Sequence, residues 1–225
     1  MASAVIVAAG RGTRMETDQD KMFLEVAGMP VVGHTWKQFD RHPDIDETVI
    51  VIRDGGREKF EELARFLELK KPYSLVHGGS ERQDSVASGI ASVSSSCKIV
   101  SIQDGARPCT SPSLISKTIL AAIESGAAVA SSKVTDAIKI ADSRNYISQN
   151  VDRTSLWAVQ TPQVFDLDII RKALAVVRRR GITITDDTAA CELIGQPVVL
   201  VPSSDQNPKV TTPEDLVLVE LLLRQ

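Results

Sequence analysis

The sequence predicts an α/β fold in which a mostly parallel, twisted sheet carries helices on both faces. Short apolar runs of strand length alternate with segments of helical spacing along most of the 225 residues, as in parallel strands joined by helices. Hydrophobic residues make up 43% of the chain and charged residues 24%, which is ample for a buried core. The sequence contains no repeat, low-complexity tract or Pro/Gly-rich linker, so we expect a single domain over residues 1–225.

The apolar runs predict strands, and the periodic segments between them predict helices. The predicted strands are Ala4–Ala8, Thr48–Ile52, Tyr73–Val76, Ile99–Ile102, Ala127–Ala130 and Val198–Val201. The predicted helices are Val31–Phe39, Lys59–Leu69, Gln83–Val93, Ser113–Glu124, Leu167–Arg179, Thr188–Ile194 and Pro213–Leu223. A hydroxyl residue before a proline suits a helix start, which supports helices beginning after Ser111 and Thr212.

One segment interrupts this alternation. Val134–Ile140 and Tyr146–Val151 alternate in polarity around the turn-prone stretch "ADSRN", which predicts an antiparallel hairpin. We expect it to form an arm, residues 133–153, inserted into the domain. Exposed strand edges invite pairing with another chain, so the arm predicts a homodimer; a flap folded on its own domain is the alternative.

Charge and composition exclude several classes of function. The net charge of −3 gives no chain-wide basic field, so we expect no nucleic-acid partner. No apolar run approaches the roughly 20 residues that cross a bilayer, and the N-terminus lacks the basic start of a signal peptide, so we expect a cytoplasmic protein without a membrane partner. The three cysteines and three histidines are scattered, and a metal ion is therefore expected to arrive with a ligand.

The loop after the first predicted strand, "VAAGRGTRMETDQDK" (residues 7–21), is a candidate phosphate site. A dinucleotide-binding turn would place a third glycine where Met15 stands, which disfavours that interpretation. Arg14 and Lys21 would supply positive charge to a polyphosphate, although an ordinary basic surface loop remains the alternative. Small residues would let a nucleoside and phosphates approach the backbone: Ala8, Ala9, Gly10 and Gly12.

Two more candidate sites follow later strands. In "GGSERQDSVASGI" (residues 78–90), Gly79 and Ser85 are placed to reach a ligand, and a well-capped helix start explains the same residues. In "IQDGARP" (residues 102–108), Asp104 suits a metal ion or a ribose hydroxyl, and Arg107 suits a phosphate. An Asp–Arg pair that braces the turn is the alternative.

The last candidate residues lie in "VDRTSLWAVQTPQVF", "TDDTAACEL" and "NPKVTTPEDL". They are Arg153, Thr161, Asp186, Asp187 and Lys209, and Asp186 is equally suited to cap the helix that follows it. The loops together provide cations without a Ser-His-Asp or Cys-His arrangement. That combination favours phosphoryl or nucleotidyl transfer, in which the protein supplies positioning and positive charge.

With these motifs in order, the chain resembles the 2-C-methyl-D-erythritol 4-phosphate cytidylyltransferases of the non-mevalonate isoprenoid pathway. The resemblance runs from about Ala4 to Leu216 and includes "AAGRGTRM", "GGSERQDSV", "DGARP", "RTSLWAVQTPQVF", "TDDTA" and "NPKVTTPEDL". It implies a Rossmann-like fold of the nucleotide-diphospho-sugar transferase type and a hairpin arm that dimerises. It also implies a Mg²⁺-dependent reaction of CTP with methylerythritol phosphate that releases pyrophosphate.

The resemblance also implies roles for individual residues. Those around the cytidine and its phosphates would be Ala8, Ala9, Gly10, Gly12, Gly79 and Ser85. Arg14 and Lys21 would stabilise the pentavalent phosphorus. Asp104 would lie near the metal ion, the ribose and the acceptor. The acceptor side would further include Arg107, Thr135, Thr161 and Asp186, with Lys209 and the Arg153 of a partner's arm on the acceptor phosphate.

Four positions depart from the commoner family pattern: Asp20, where proline is usual, Gln103, Ala137 and Pro208. Asp20 is expected to pair with a neighbouring cation and to weaken the polyphosphate site, and Ala137 lacks a hydroxyl expected near the acceptor. A cytidylyltransferase for another alditol phosphate, such as ribitol 5-phosphate, therefore remains an alternative. So does a non-catalytic dimer that binds CTP.

Overall fold

The computed structural model describes residues 1–10, 20–203 and 205–225. Its strands are β1 (Ala2–Val7), β2 (Glu25–Val26), β3 (Met29–Pro30), β4 (Glu47–Ile52), β5 (Tyr73–His77), β6 (Ile99–Asp104), β7 (Ala127–Lys133), β8 (Lys139–Ala141), β9 (Ile147–Asn150), β10 (Trp157–Asp166) and β11 (Val199–Pro202). Its α-helices are α1 (Val31–Arg41), α2 (Arg57–Leu67), α3 (Arg82–Ala91), α4 (Pro112–Ser125), α5 (Leu167–Arg180), α6 (Asp187–Glu192) and α7 (Pro213–Leu223). A short 3₁₀ helix spans Lys21–Phe23.

The main sheet has the strand order β11-β7-β10-β6-β1-β4-β5 in the described part of the chain. All neighbours in it are parallel except β10, which runs antiparallel to both β6 and β7. After β1 the chain adds β4 and then β5 on one side of β1, and it then returns to add β6 on the other side. Loops that leave β1 and β6 therefore diverge, which creates a crevice at the carboxyl ends of these strands.

The predicted α/β architecture is confirmed, and each predicted strand and helix is present with shifted ends. Strand β10 was not predicted from the sequence, because its segment contains glutamines, a threonine and Pro162, and proline is rare inside strands. The structure accommodates Pro162 at an irregularity, where the register between β10 and β7 shifts between Val159 and Gln163.

Helices cover both faces of the sheet because successive side chains of each central strand are buried on opposite sides. In β1, Ala4 and Ile6 belong to the apolar cluster with α1, α2 and α4. Val5 belongs to the second cluster, with α3 and α5. On that second face α3 lies close to the sheet, since a Cβ atom built on Gly89 would be 2.4 Å from Cγ1 of Val5.

The predicted hairpin is present as strands β8 and β9, which are shorter than expected and pair with each other as a separate two-stranded sheet. Its side chains are exposed, including Ile140, Tyr146 and Ile147. Whether this hairpin dimerises stays a prediction. Among the described residues, no helix has the length and apolar character needed to cross a membrane.

We expect Gly89→Val to lower the free energy of unfolding by about 2 kcal/mol, because two methyl groups would enter a filled space between α3 and the sheet. Urea denaturation measures the change. The control is Ser88→Val, which adds the same side chain one position earlier, where the residue is half-exposed, and should cost less than about 1 kcal/mol. Equal losses in the two variants would contradict the close approach of α3.

Candidate active site

A cavity of about 480 Å³ lies at the carboxyl ends of the parallel strands. The residues that line it come from the ends of β1 and β6, the 3₁₀ turn, the start of α3 and the loop before α7. They are Val7, Ala9, Gly10, Lys21, Met22, Gly79, Ser80, Glu81, Arg82, Ser85, Asp104, Gly105, Ala106 and Lys209. Its volume is typical of a small-molecule site.

One part of the cavity wall is built from small residues. A Cβ atom on Gly78 would lie 2.7 Å from the Cβ atom of Ala9, so the loops after β1 and β5 pack directly against each other. A Cβ atom on Gly79 would lie 2.3 Å from that of Asp84. A larger residue at Gly78 would push the two loops apart, and one at Gly79 would collide with Asp84 of α3, which explains the paired glycines.

The start of α3 is a well-capped helix start, as one of the two interpretations of its sequence expected, and it also lies at the cavity. Glu81 and Asp84 form a reciprocal capping box, and the Ser85 hydroxyl donates to the carbonyl of Glu81 and accepts from the N–H of Gly79. Ser85 also lines the cavity, as does Gly79. The helix cap and the cavity wall are therefore the same residues.

Asp104 stands at the end of β6, directly opposite Val7 of β1, and three cations surround its carboxylate. Lys209 Nζ lies 2.7 Å from Oδ2, Arg107 Nε lies 3.5 Å from the same oxygen, and Arg82 Nη2 lies 3.7 Å from Oδ1. The expected Asp104–Arg107 pair is thus present, and it is one part of a larger cluster. Burial raises the pKa of Asp104, but attraction from Lys209 and Arg82 outweighs burial and holds the pKa below its ordinary value.

Arg82 connects this cluster to a second, fully buried carboxylate. Its Nη1 atom lies 2.7 Å from Oδ2 of Asp187, at the start of α6. The other carboxylate oxygen of Asp187 is buried and has no hydrogen-bond partner among the residues that the structure describes. Burial opposes the charge of Arg82, yet attraction from Asp187 and Asp104 outweighs burial and keeps the pKa of Arg82 above its ordinary value.

Asn207 holds the loop that delivers Lys209. Its side chain donates to the carbonyl of Thr161 at 2.8 Å and accepts from the Thr110 hydroxyl, and its own carbonyl accepts from Arg107 at 2.6 Å. Because these bonds join three segments, the position of Lys209 depends on strand β10 as well as on its own loop.

Several predicted residues lie beside the cavity rather than in its described lining. Thr161 accepts a hydrogen bond from the N–H of Asp104, and Arg107 contacts the carboxylate of Asp104. Asp186 caps α6 through the N–H of Ala189, as its alternative interpretation expected. Ala8 is buried in the core.

Other predicted residues lie elsewhere. Arg153 donates to the carbonyl of Thr135 within the exposed arm, and neither residue is among the described residues that line the cavity. Gly12 and Arg14 lie outside the described residues. Gln103, one of the four unusual positions, donates from its side-chain amide to the buried Thr110 hydroxyl.

Sequence reasoning missed Arg82 and Asn207 and did not give Asp187 a function of its own. Arg82 and Asp187 are 105 residues apart, and no local pattern reveals such a pair. A signal was nevertheless available for Arg82, because a cation in the first turn of a helix is unfavourable unless a carboxylate lies nearby.

Comparison with known proteins agrees with this geometry. The model of a family described as 2-C-methyl-D-erythritol 4-phosphate cytidylyltransferase matches residues 2–225. The chain belongs to this family. Its cytidylyltransferase relatives include proteins of that name from Caldanaerobacter subterraneus, 44% identical with 99% of each chain covered, and from Pelotomaculum thermopropionicum, 39% identical with 99% of this chain and 94% of the relative covered.

Solved structures of cytidylyltransferase relatives have the same fold. A 4-diphosphocytidyl-2C-methyl-D-erythritol synthase from Anaerococcus prevotii superposes with a TM-score of 0.87 at 28% identity, covering 100% of this chain and 98% of that one. The 2-C-methyl-D-erythritol 4-phosphate cytidylyltransferase of Thermus thermophilus gives a TM-score of 0.79 at 31% identity, with 98% of each chain covered. The Rossmann-like fold implied by the sequence resemblance is thereby confirmed.

We expect Arg82→Met to lower the free energy of unfolding by about 3–5 kcal/mol, because it leaves the carboxylate of Asp187 buried without its cation. Burial already raises the pKa of Asp187, and loss of Arg82 raises it further. A raised folded-state pKa costs stability as pH rises through it, so the deficit should be larger at pH 8 than at pH 5.

Urea denaturation at both pH values measures this deficit. Arg144→Met is the control, since it removes an exposed pair with Asp142 and should cost less than about 1 kcal/mol at either pH. A deficit for Arg82→Met that is small, or that does not change with pH, would contradict a buried charge pair.

Proposed function

We propose that this chain transfers the cytidylyl group of CTP to 2-C-methyl-D-erythritol 4-phosphate. A phosphate oxygen of the acceptor attacks the α-phosphorus of CTP, the bond from that phosphorus to the bridging oxygen breaks, and pyrophosphate leaves. Membership of the family supports this proposal. The observation that carries it is one cavity in which Lys21, Arg82 and Lys209 meet beside the carboxylate of Asp104.

The lining of the cavity suits both the nucleoside and the phosphates of a nucleotide. Ala9, Gly10 and Gly79 leave the backbone accessible, which suits the base and ribose of CTP. Lys21 faces the same space and, with Arg14, would attract the triphosphate and stabilise the charge that develops on the α-phosphorus. The chain's contribution is therefore mainly positioning and electrostatic stabilisation.

Lys209 suits the acceptor phosphate. Its side chain is about one-third exposed and pairs with Asp104. An incoming phosphate can therefore reach the ammonium group of Lys209 without leaving a buried cation unpaired. Arg107 and Arg82 remain beside Asp104 and keep its carboxylate compensated while Lys209 engages the acceptor.

We propose Mg²⁺ or another divalent cation as the cofactor. When bound, it would neutralise charge on the triphosphate and favour departure of pyrophosphate. No group of three metal-binding side chains occurs among the described residues, and Asp104 is the buried carboxylate at the cavity. Both oxygens of Asp104 face cations, so the substrate phosphates would be the main ligands of Mg²⁺, which commonly binds through them.

We further propose a homodimer in which the arm of one subunit completes the site of its partner. Arg153 and Thr135 are together in the arm, which exposes apolar side chains. The acceptor side of the site would then include Arg153 of the partner subunit. A cytoplasmic location without nucleic-acid or membrane partners stays a prediction.

A pyrophosphate-release assay with CTP and Mg²⁺ tests the reaction. We expect rapid release with methylerythritol phosphate and little with ribitol 5-phosphate or without an acceptor. Lys209→Ala should reduce kcat/KM at least about 100-fold, because it removes a charge aimed at the acceptor. Release with ribitol 5-phosphate alone would identify the other alditol phosphate as substrate, and CTP binding without release from either acceptor would indicate a non-catalytic dimer.

Mixing subunits tests the shared site. Arg153→Ala and Lys209→Ala homodimers should each be nearly inactive, because each site lacks one acceptor cation. Heterodimers of the two should regain up to about half of the wild-type activity per dimer, since one site then has both cations. Verified heterodimers that stay inactive, or an Arg153→Ala enzyme of full activity, would contradict completion of the site by the partner's arm.

A further inference from the structure

Lys21 reaches the cavity from a single turn of 3₁₀ helix, and both ends of that turn are held. At its carboxyl end, Met22 is buried, and the ring of Phe23 packs edge-on against Phe60 of α2 with centroids 4.9 Å apart. At its amino end, the carboxylate of Asp20 accepts a hydrogen bond from the N–H of Met22 at 3.1 Å. The carbonyl of Asp20 accepts from the N–H of Phe23 at 2.8 Å.

The cap itself is charged and nearly buried. The side chain of Asp20 is only 6% exposed, and its second carboxylate oxygen lies 3.1 Å from Nη2 of Arg53. The expected pairing of Asp20 with a neighbouring cation is thus confirmed. Whether the pair weakens the phosphate site stays a prediction; in the structure Arg53 compensates a carboxylate whose other oxygen caps the turn of Lys21.

Arg53 is well placed for this task. It directly follows β4, and its carbonyl accepts from the N–H of Gly56 at 3.2 Å, which fixes the backbone from which its side chain extends. The neighbouring Asp54 lies 2.9 Å from His77 at the end of β5. Arg53 is not among the described residues that line the cavity, so it is connected to the reaction through Asp20 and the turn.

We propose that Arg53 is a positioning residue that acts through Asp20 to hold Lys21 in the cavity. The pair joins the end of β4 to the amino end of the turn by an electrostatic contact, whereas in the described part of the chain apolar packing holds the other end. Without Arg53, the buried carboxylate of Asp20 turns toward water, the cap on Met22 opens, and the ammonium of Lys21 loses its fixed direction. This inference rests on the proposed function for the role of Lys21, but the geometry of the pair does not.

Double-mutant cycles in the full-length protein test the proposal. We expect Arg53→Met to lower kcat/KM for CTP about 10-fold, with Arg53→Lys recovering part of the loss because it restores a cation. In a Lys21→Ala background, Arg53→Met should have no further effect, since the residue that it positions is gone. Asp20→Ala, which removes both the capping oxygen and the partner of Arg53, should reproduce the Arg53→Met result and serves if that variant does not fold.

Direct CTP binding, measured by calorimetry without acceptor, separates this proposal from the proposed function. Arg53→Met should weaken CTP binding in the wild-type background and leave it unchanged in the Lys21→Ala background, whichever acceptor the enzyme uses. Arg57→Met is the control, because it removes a nearby cation whose partners, Glu61 and the carbonyl of Leu75, are not among the described residues that line the cavity, and it should change neither readout. Unchanged binding and kinetics in Arg53→Met would overturn the proposal, as would losses that multiply with those of Lys21→Ala and so show that Arg53 acts independently.

Discussion

The compensation of one buried carboxylate, that of Asp104, organises the cavity. A carboxylate at the end of a buried strand must be paired, and the three cations that pair with it come from the start of α3, the turn after β6 and the loop before α7. These three segments are thereby held next to one another at Asp104. Lys21 and Lys209 line the same cavity, and Arg82 joins it to the second carboxylate, Asp187, so several cations face the space in which a polyphosphate would bind.

The topology of the sheet makes that convergence geometrically possible. Strands β1 and β6 are parallel neighbours, but the chain continues from β1 to β4 on one side and from β6 to β7 on the other side. The loops after these two strands therefore separate and leave space above Val7 and Asp104. The antiparallel strand β10 then brings Thr161 against the N–H of Asp104. Asn207 ties that same segment to the loop of Lys209. The cavity is thus supported by strands rather than by loops alone.

Hydrophobic periodicity predicted the fold well, because the strands are apolar on both faces and the helices between them are well punctuated. Ser111 caps α4 and Thr212 forms a capping box at α7, as expected. Strand β10 escaped prediction since its polar residues and Pro162 mask its role, and it is stabilised by pairing with two neighbours far away in sequence. The β-propensities of individual residues do not predict such long-range pairing.

Residues at strand ends were predictable, since small residues, cations and a carboxylate directly after apolar strands are distinctive in the amino-acid sequence and place their chemistry at one edge of a parallel sheet. The residues that pair with them in the folded chain were not predictable. Two adjacent acids show the difference: Asp186 caps a helix, whereas Asp187 is fully buried against Arg82. Likewise, Asp20 is an unusual residue in the sequence, and its pairing with Arg53 emerges only after β4 and the turn are brought together. Such pairs depend on how distant segments pack, and a difference of one residue in register would reverse which side chain is buried.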